Sequence, residues 1–167
     1  MPGLDIRPAT NDDCEYVWRL SHDPAVQQWS TRQETFTLEQ HREWWKRRFG
    51  TPSQTRIWIA EQDGLEAGYV RYGKVVEDEF HVKQADEAEI SIAVEPSRQT
   101  RGIGKDLLQE TMPLACEWLG VSRLVALVLW ENKRSHKLFR SVGFKYDNLE
   151  ERMGKLHVRY RWVPDAV

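Results

Sequence analysis

Gln99-Thr100-Arg101-Gly102-Ile103-Gly104 joins an apolar run that ends at Pro96 to an amphipathic segment that starts at Lys105. A strand that turns through two near-adjacent glycines into a helix presents several backbone N–H groups with no partner. The positive end of the helix dipole stands behind them. Arg98, Arg101 and Lys105 add side-chain charge at the same place. The stretch predicts a cradle for a multiply phosphorylated small molecule.

On the upstream side, Glu89-Ile90-Ser91-Ile92-Ala93-Val94 alternates cleanly, as a strand feeding the turn would. Downstream, Ile103, Leu107, Leu108, Met112, Ala115 and Leu119 recur at helical intervals, and Gly120 is placed to stop the helix. Pro113 falls inside it and predicts a kink. The continuous run Leu124–Leu129 reads as a strand buried on both faces, the parallel partner in a βαβ unit spanning about 85 to 130. A short helix over Asn132–Ser141, ended by Gly143-Phe144, and a closing strand at Val158–Trp162 follow.

Nearer the N-terminus, Leu4–Arg7 alternates up to Pro8. Thr10 with Asp13 and Thr37 with Gln40 form capping boxes that open two helices, separated by the break at His22-Asp23-Pro24. Leu38, Trp44, Trp45 and Phe49 make the apolar face of the second. Arg56–Ala60 and Ala67–Tyr72 flank Asp63-Gly64, a strong hairpin signal. Val76–Ala85 is charged and unpatterned and reads as a loop or ragged strand end.

A chain of 167 residues suits one globular domain, 1–167. With 24 Lys plus Arg against 26 Asp plus Glu, it has no global attraction for nucleic acid or an anionic membrane, so neither is expected as a partner. Two cysteines, Cys14 and Cys116, make no disulfide framework, and no signal peptide or long apolar span is visible, which points to the cytoplasm.

Two familiar phosphate motifs do not fit the glycine turn. A dinucleotide fold wants a third glycine where Leu107 stands, and a P-loop wants Ser or Thr where Asp106 follows Gly104-Lys105. The turn instead resembles the acetyl-coenzyme A motif of the GNAT family of N-acetyltransferases, Q/R-x-x-G-x-G/A, through Gln99, Gly102 and Gly104. Asn132, Ser135, Leu138, Gly143 and Phe144 resemble the family's second signature at matching spacing. The resemblance implies an α/β (α+β) fold with a mixed, mostly antiparallel sheet flanked by helices around a central acetyl-CoA-binding βαβ unit. It also implies acetyl-CoA as co-substrate, with no metal.

In such proteins the pyrophosphate sits on the turn, here Gln99, Arg101, Gly102, Ile103, Gly104 and Lys105. The pantetheine arm pairs with the preceding strand, here Ile92, Ala93 and Val94, with Asn132 and Ser135 beside it. The resemblance further makes Glu89 a general base acting through water, and a backbone N–H near Ala93 or Val94 the group that polarises the thioester carbonyl. Phe139 stands where the family often has the tyrosine that protonates the thiolate, so Ser135, Tyr146 or His136 becomes the candidate donor, or the thiolate leaves unprotonated or takes its proton from water. His136 is expected to be an exposed helix residue. Glu89 or Glu87 could also be a solvated strand-end carboxylate, and a non-catalytic acyl-CoA sensor remains the alternative class.

The acceptor side falls to the N-terminal helices and the hairpin. Trp44, Trp45 and Trp130 read as core and Trp29 as a loop residue. His22–Trp29 followed by Thr37–Trp44 resembles both the acetyltransferases of ribosomal and other protein N-termini or small amines and the pseudaminic-acid-pathway enzymes. The second resemblance is closer and implies a primary amine on a nucleotide-linked amino sugar. A homodimer is left open.

Overall fold

The computed structural model describes residues 3–31, 33, 35–74, 86–99 and 101–165. Along the chain these form β1 (Leu4–Pro8), α1 (Cys14–Ser21), α2 (Pro24–Gln27), α3 (Leu38–Phe49), β2 (Thr55–Gln62), β3 (Leu65–Lys74) and β4 (Glu87–Val94). Then come α4 (Ile103–Leu119), β5 (Arg123–Leu129), α5 (Lys133–Ser141), β6 (Lys145–Arg152) and β7 (Lys155–Trp162). The strands make one seven-stranded sheet in the order β1-β2-β3-β4-β5-β7-β6. Only β4 and β5 run parallel, as the crossover through α4 requires.

Alternation along β4 divides the core. Ala88 and Ile90 join Leu107, Leu108, Met112 and Leu119 of α4, with Ile92 and Val94 packed against the same cluster. Ala93 faces the opposite side, where Tyr16, Val17 and Leu20 of α1 and Trp45 of α3 cover Ile57, Ile59 and Tyr69. Both capping boxes are formed, at Thr10–Asp13 and at Thr37–Gln40. The Asp63-Gly64 turn has φ of 53° and 82°, the left-handed pair that joins β2 to β3. Helix α4 runs through Pro113 and closes on Gly120 at φ 65°.

Three features depart from the sequence expectations. His22-Asp23-Pro24 starts a helix as well as breaking one: Asp23 accepts from the Ala25 N–H and Pro24 supplies the first helical position of α2. Strand β6 was not anticipated. It turns at Met153-Gly154, with φ of 54° and 75°, and pairs with β7 at the sheet edge. His136 is buried rather than exposed. Val76–Ala85 lies outside the described residues. Among the described residues no helix is long and apolar enough to cross a membrane, and no three His, Cys, Asp or Glu are grouped to hold a metal ion.

Gly68 on β3 lies opposite Val94, and a Cβ there would sit 2.7 Å from the Ala93 carbonyl oxygen and 3.2 Å from the Val94 Cα. Backbone on both strands has no room to yield cheaply. Gly68→Ala should therefore lower unfolding stability by about 1–3 kcal/mol in urea titrations; an unchanged midpoint would show that β4 is free to shift away from β3.

Candidate active site

The parallel pairing of β4 and β5 covers only Glu87 with Arg123, Ala88 with Leu124 and Glu89 with Val125. Beyond Glu89 the strands part, while β4 stays paired with β3 as far as Gly68–Val94. The β5-facing edge of Ile90–Val94 is consequently outside the sheet ladder. An extended ligand with its own donors and acceptors could add there as a strand does.

The glycine turn lies at the end of that opening. Gly102 caps α4 at φ 80° and offers no side chain to the helix end, so the helix leaves the Ile103, Gly104 and Lys105 amides without an internal partner. The first intrahelical bond runs from Asp106 N–H to the Gly102 carbonyl. Gly104 is tightly placed: a Cβ would lie 3.3 Å from Leu138 of α5 and 3.6 Å from Val94. The Gln99 side-chain amide donates to the Val94 carbonyl at 3.2 Å, so it ties the turn to the end of β4. Arg98 donates to Gln62 at 2.8 Å, and Arg101 and Lys105 are exposed beside the amides.

At the far side of the opening Asn132 caps α5. Its carbonyl accepts from the Ser135 N–H at 3.2 Å and its amide donates to Ser135 Oγ at 2.9 Å. His136 Nε2 faces the Trp130 carbonyl at 3.0 Å; a carbonyl only accepts, so this nitrogen carries a hydrogen, while Nδ1 lies 2.7 Å from the Tyr160 hydroxyl. Phe139 is buried against Phe144, ring centroids 5.1 Å apart. Tyr146 is exposed on β6 and lines a hollow with Trp130, Arg140 and Tyr160. It sits in register with Tyr160 of β7, which in turn pairs with Ala126 of β5.

Glu89, Ser91 and Ala93 share the face that α1 and α3 cover. Arg71 donates to Ser91 Oγ at 2.9 Å with its guanidinium 5.2 Å from the Trp44 ring centre. His41 packs beside Trp44 and Trp45, and burial pushes it down to about 4, so it is neutral at neutral pH. Trp45 is core, Trp44 is half-buried, and Trp29 and Trp130 are exposed, which removes Trp130 from the expected core. The backbone of Phe36 is pinned to α1, its carbonyl accepting from Trp18 and its N–H donating to His22.

A strand gap fed by a glycine turn at a helix start is matched from end to end by one family model. The Acetyltransferase (GNAT) domain covers residues 4–145. The chain belongs to the GNAT acetyltransferase family. The Bacillus subtilis protein YwnH, provisionally named a phosphinothricin acetyltransferase, is 28% identical over 145 residues, 84% of this chain and 83% of its own length. The Escherichia coli (strain K12) spermidine N(1)-acetyltransferase is 24% identical over 144 residues, 86% of this chain and 74% of that one. Among solved structures, the Salmonella typhimurium protein yncA with its cofactor acetyl-CoA superposes at TM-score 0.81 with 20% identity, covering 98% of this chain and 95% of the other. The likeness in fold extends to β6 and β7, beyond the residues of the family model.

In this GNAT acetyltransferase the sequence reading missed the partners of the acidic residues. Glu87 is buried and pairs with Arg159 at 2.7 Å, with Arg123 at 3.8 Å, and Arg159 also binds Asp147 at 2.8 Å. Glu89 pairs with Arg152 at 3.1 Å. No local pattern announces these contacts; the alternation of charge along Arg159-Tyr160-Arg161 was the one available sign of an ionised sheet face.

Gly102→Asp tests the turn. Aspartate is a favourable helix cap and tolerates the left-handed region better than most residues, so the fold should survive while a carboxylate occupies the anion cradle. Calorimetry on the folded variant should show coenzyme A affinity falling at least about 100-fold, while the left-handed φ of 80° costs about 1–2 kcal/mol of stability; unchanged affinity would move the phosphates elsewhere.

Proposed function

We propose that this chain transfers the acetyl group of acetyl-CoA to a single primary amine on a small molecule that is not a polycation, a nucleotide-linked amino sugar being the preferred instance. The observation that carries the reading is the opening between β4 and β5, with free strand edge on one side and three helix-start amides at its mouth. The residues present suit the co-substrate: extended backbone at Ile92, Ala93 and Val94 for the pantetheine amides, and the Ile103–Lys105 amides with Arg101 and Lys105 for the pyrophosphate. Bound there, acetyl-CoA supplies an acetyl group activated as a thioester.

The chain's own groups then act in order. The backbone N–H of Val94, which the β3–β4 register turns away from β3, donates to the carbonyl oxygen and stabilises the charge that develops on it. Glu89 lies on the face that α1 and α3 cover and takes a proton, through water, from the acceptor ammonium, freeing the lone pair for attack. A thiol with a pKa of about 8.5 makes its thiolate a fair leaving group, so proton delivery demands little. Ser135, in the first turn of α5 and bonded to Asn132, and Tyr146 on β6 are the two candidate hydroxyls for that proton.

Charge at the β4 and β6 end of the face that carries Glu89 supports the choice of acceptor. Among the described residues, Glu87, Glu89, Asp147 and Glu150 each stand against an arginine. Carboxylates already paired with arginine are poor partners for the several ammonium groups of a polyamine, whereas a single amine on a neutral or anionic body needs only one proton acceptor, the role given to the partly exposed Glu89.

Release of free coenzyme A, followed with a thiol reagent over a panel of amines, checks both points. A nucleotide-linked amino sugar should be turned over faster than spermidine or a peptide N-terminus; the reverse order would replace the acceptor assignment. Tight coenzyme A binding with no thiol released on any amine would favour a sensor. Glu89→Gln should lower kcat by about 100- to 10,000-fold with acetyl-CoA affinity little changed, and an equal rate would place the base elsewhere.

A further inference from the structure

Glu89 is held from a distant part of the chain. One terminal nitrogen of Arg152 donates to both carboxylate oxygens of Glu89, at 3.1 and 3.4 Å, and the other lies 3.0 Å from Glu150 Oε2. Arg152 is the last residue of β6, next to the Met153-Gly154 turn. In the sheet order β5 and β7 both stand between β6 and β4. The turn end of the β6–β7 hairpin therefore reaches across the sheet face to bring a guanidinium to the strand that borders the opening.

A second tie holds the hairpin in that position. The β6 register slips between Tyr146 and Asn148, and the extra residue, Asp147, binds Arg159 Nε at 2.8 Å. Arg159 in turn donates to the buried Glu87 at 2.7 Å. The hairpin is thus fastened to β4 at Glu87 and again at Glu89, two residues apart on one face.

The two ties differ in kind. Glu87 is 1% exposed and needs its arginine, because a buried carboxylate without a partner is costly. The Glu89 and Arg152 side chains are 34% and 39% exposed, where an ion pair contributes little to stability. What such a pair does supply is orientation: a glutamate at the margin of an open gap has several accessible rotamers, and a fixed guanidinium selects among them.

We infer that Arg152 is a positioning residue, which aims the Glu89 carboxylate at the acceptor amine. The inference rests on Glu89 being the base. Arg152 needs no contact with either substrate, and Glu150 steadies its free end.

Thiol-release kinetics on Arg152→Gln, Glu89→Gln and the double variant, with the acceptor turned over fastest in the panel, test it. Arg152→Gln should lower kcat about 10- to 100-fold while the KM for acetyl-CoA and the unfolding midpoint hold. Arg152→Lys should recover part of the loss through a single contact. In the Glu89→Gln background Arg152→Gln should change kcat less than about twofold, since there is no carboxylate left to aim. Wild-type kcat in Arg152→Gln, or losses that multiply in the double variant, would overturn the inference. Glu89→Gln at the wild-type rate would instead remove the base assignment beneath it. If Arg152→Gln yields too little folded protein, Glu150→Gln gives the same reading: a loss of a few fold in kcat that vanishes in the Glu89→Gln background.

Discussion

The parting of two parallel strands is the constraint on which the rest of this structure depends. β4 and β5 share three residue pairs and then separate, leaving strand edge that would ordinarily be paired. The sheet tolerates this because β4 is paired with β3 over Ala88–Val94 and β5 with β7 over Leu124–Leu129, so each borders the gap with one side secured. Close packing keeps the gap in shape. Gly68 lets β3 come up against Ala93 and Val94, and Gly104 lets the start of α4 meet Val94 and Leu138.

The two faces of the sheet do different work around the gap. The α4 face is apolar, and its aliphatic contacts fix where the helix start points its amides. The opposite face combines an aromatic cluster under α1 and α3 with ionised side chains toward β6 and β7. The strand that borders the gap thus lies between environments of contrasting polarity.

The β4-turn-α4-β5 unit was legible in the sequence because each part carries a local signal: alternation at Glu89–Val94, glycines at the turn, helical spacing after it, a continuous apolar run at Leu124–Leu129. The capping boxes and the Asp63-Gly64 hairpin were readable for the same reason. Strand β6 was not. At the edge of the sheet it is largely exposed, so its residues record no period. His136 looked like a surface residue because its burial depends on Tyr160, 24 residues away, and the Arg152–Glu89 pair spans 63 residues. Such contacts leave no trace in a local window. That Glu89 shares a face with Ser91 and Ala93 followed from alternation alone; its partner required the fold.

Hydrogen exchange on the full chain, with and without saturating coenzyme A, tests the central claim most directly. The account predicts slowed exchange in peptides spanning Ile90–Val94 and Ile103–Lys105, where the strand edge and the helix-start amides gain partners, with the Asp63-Gly64 hairpin unchanged. Protection confined to other segments, with these amides exchanging as fast as in the free protein, would contradict it.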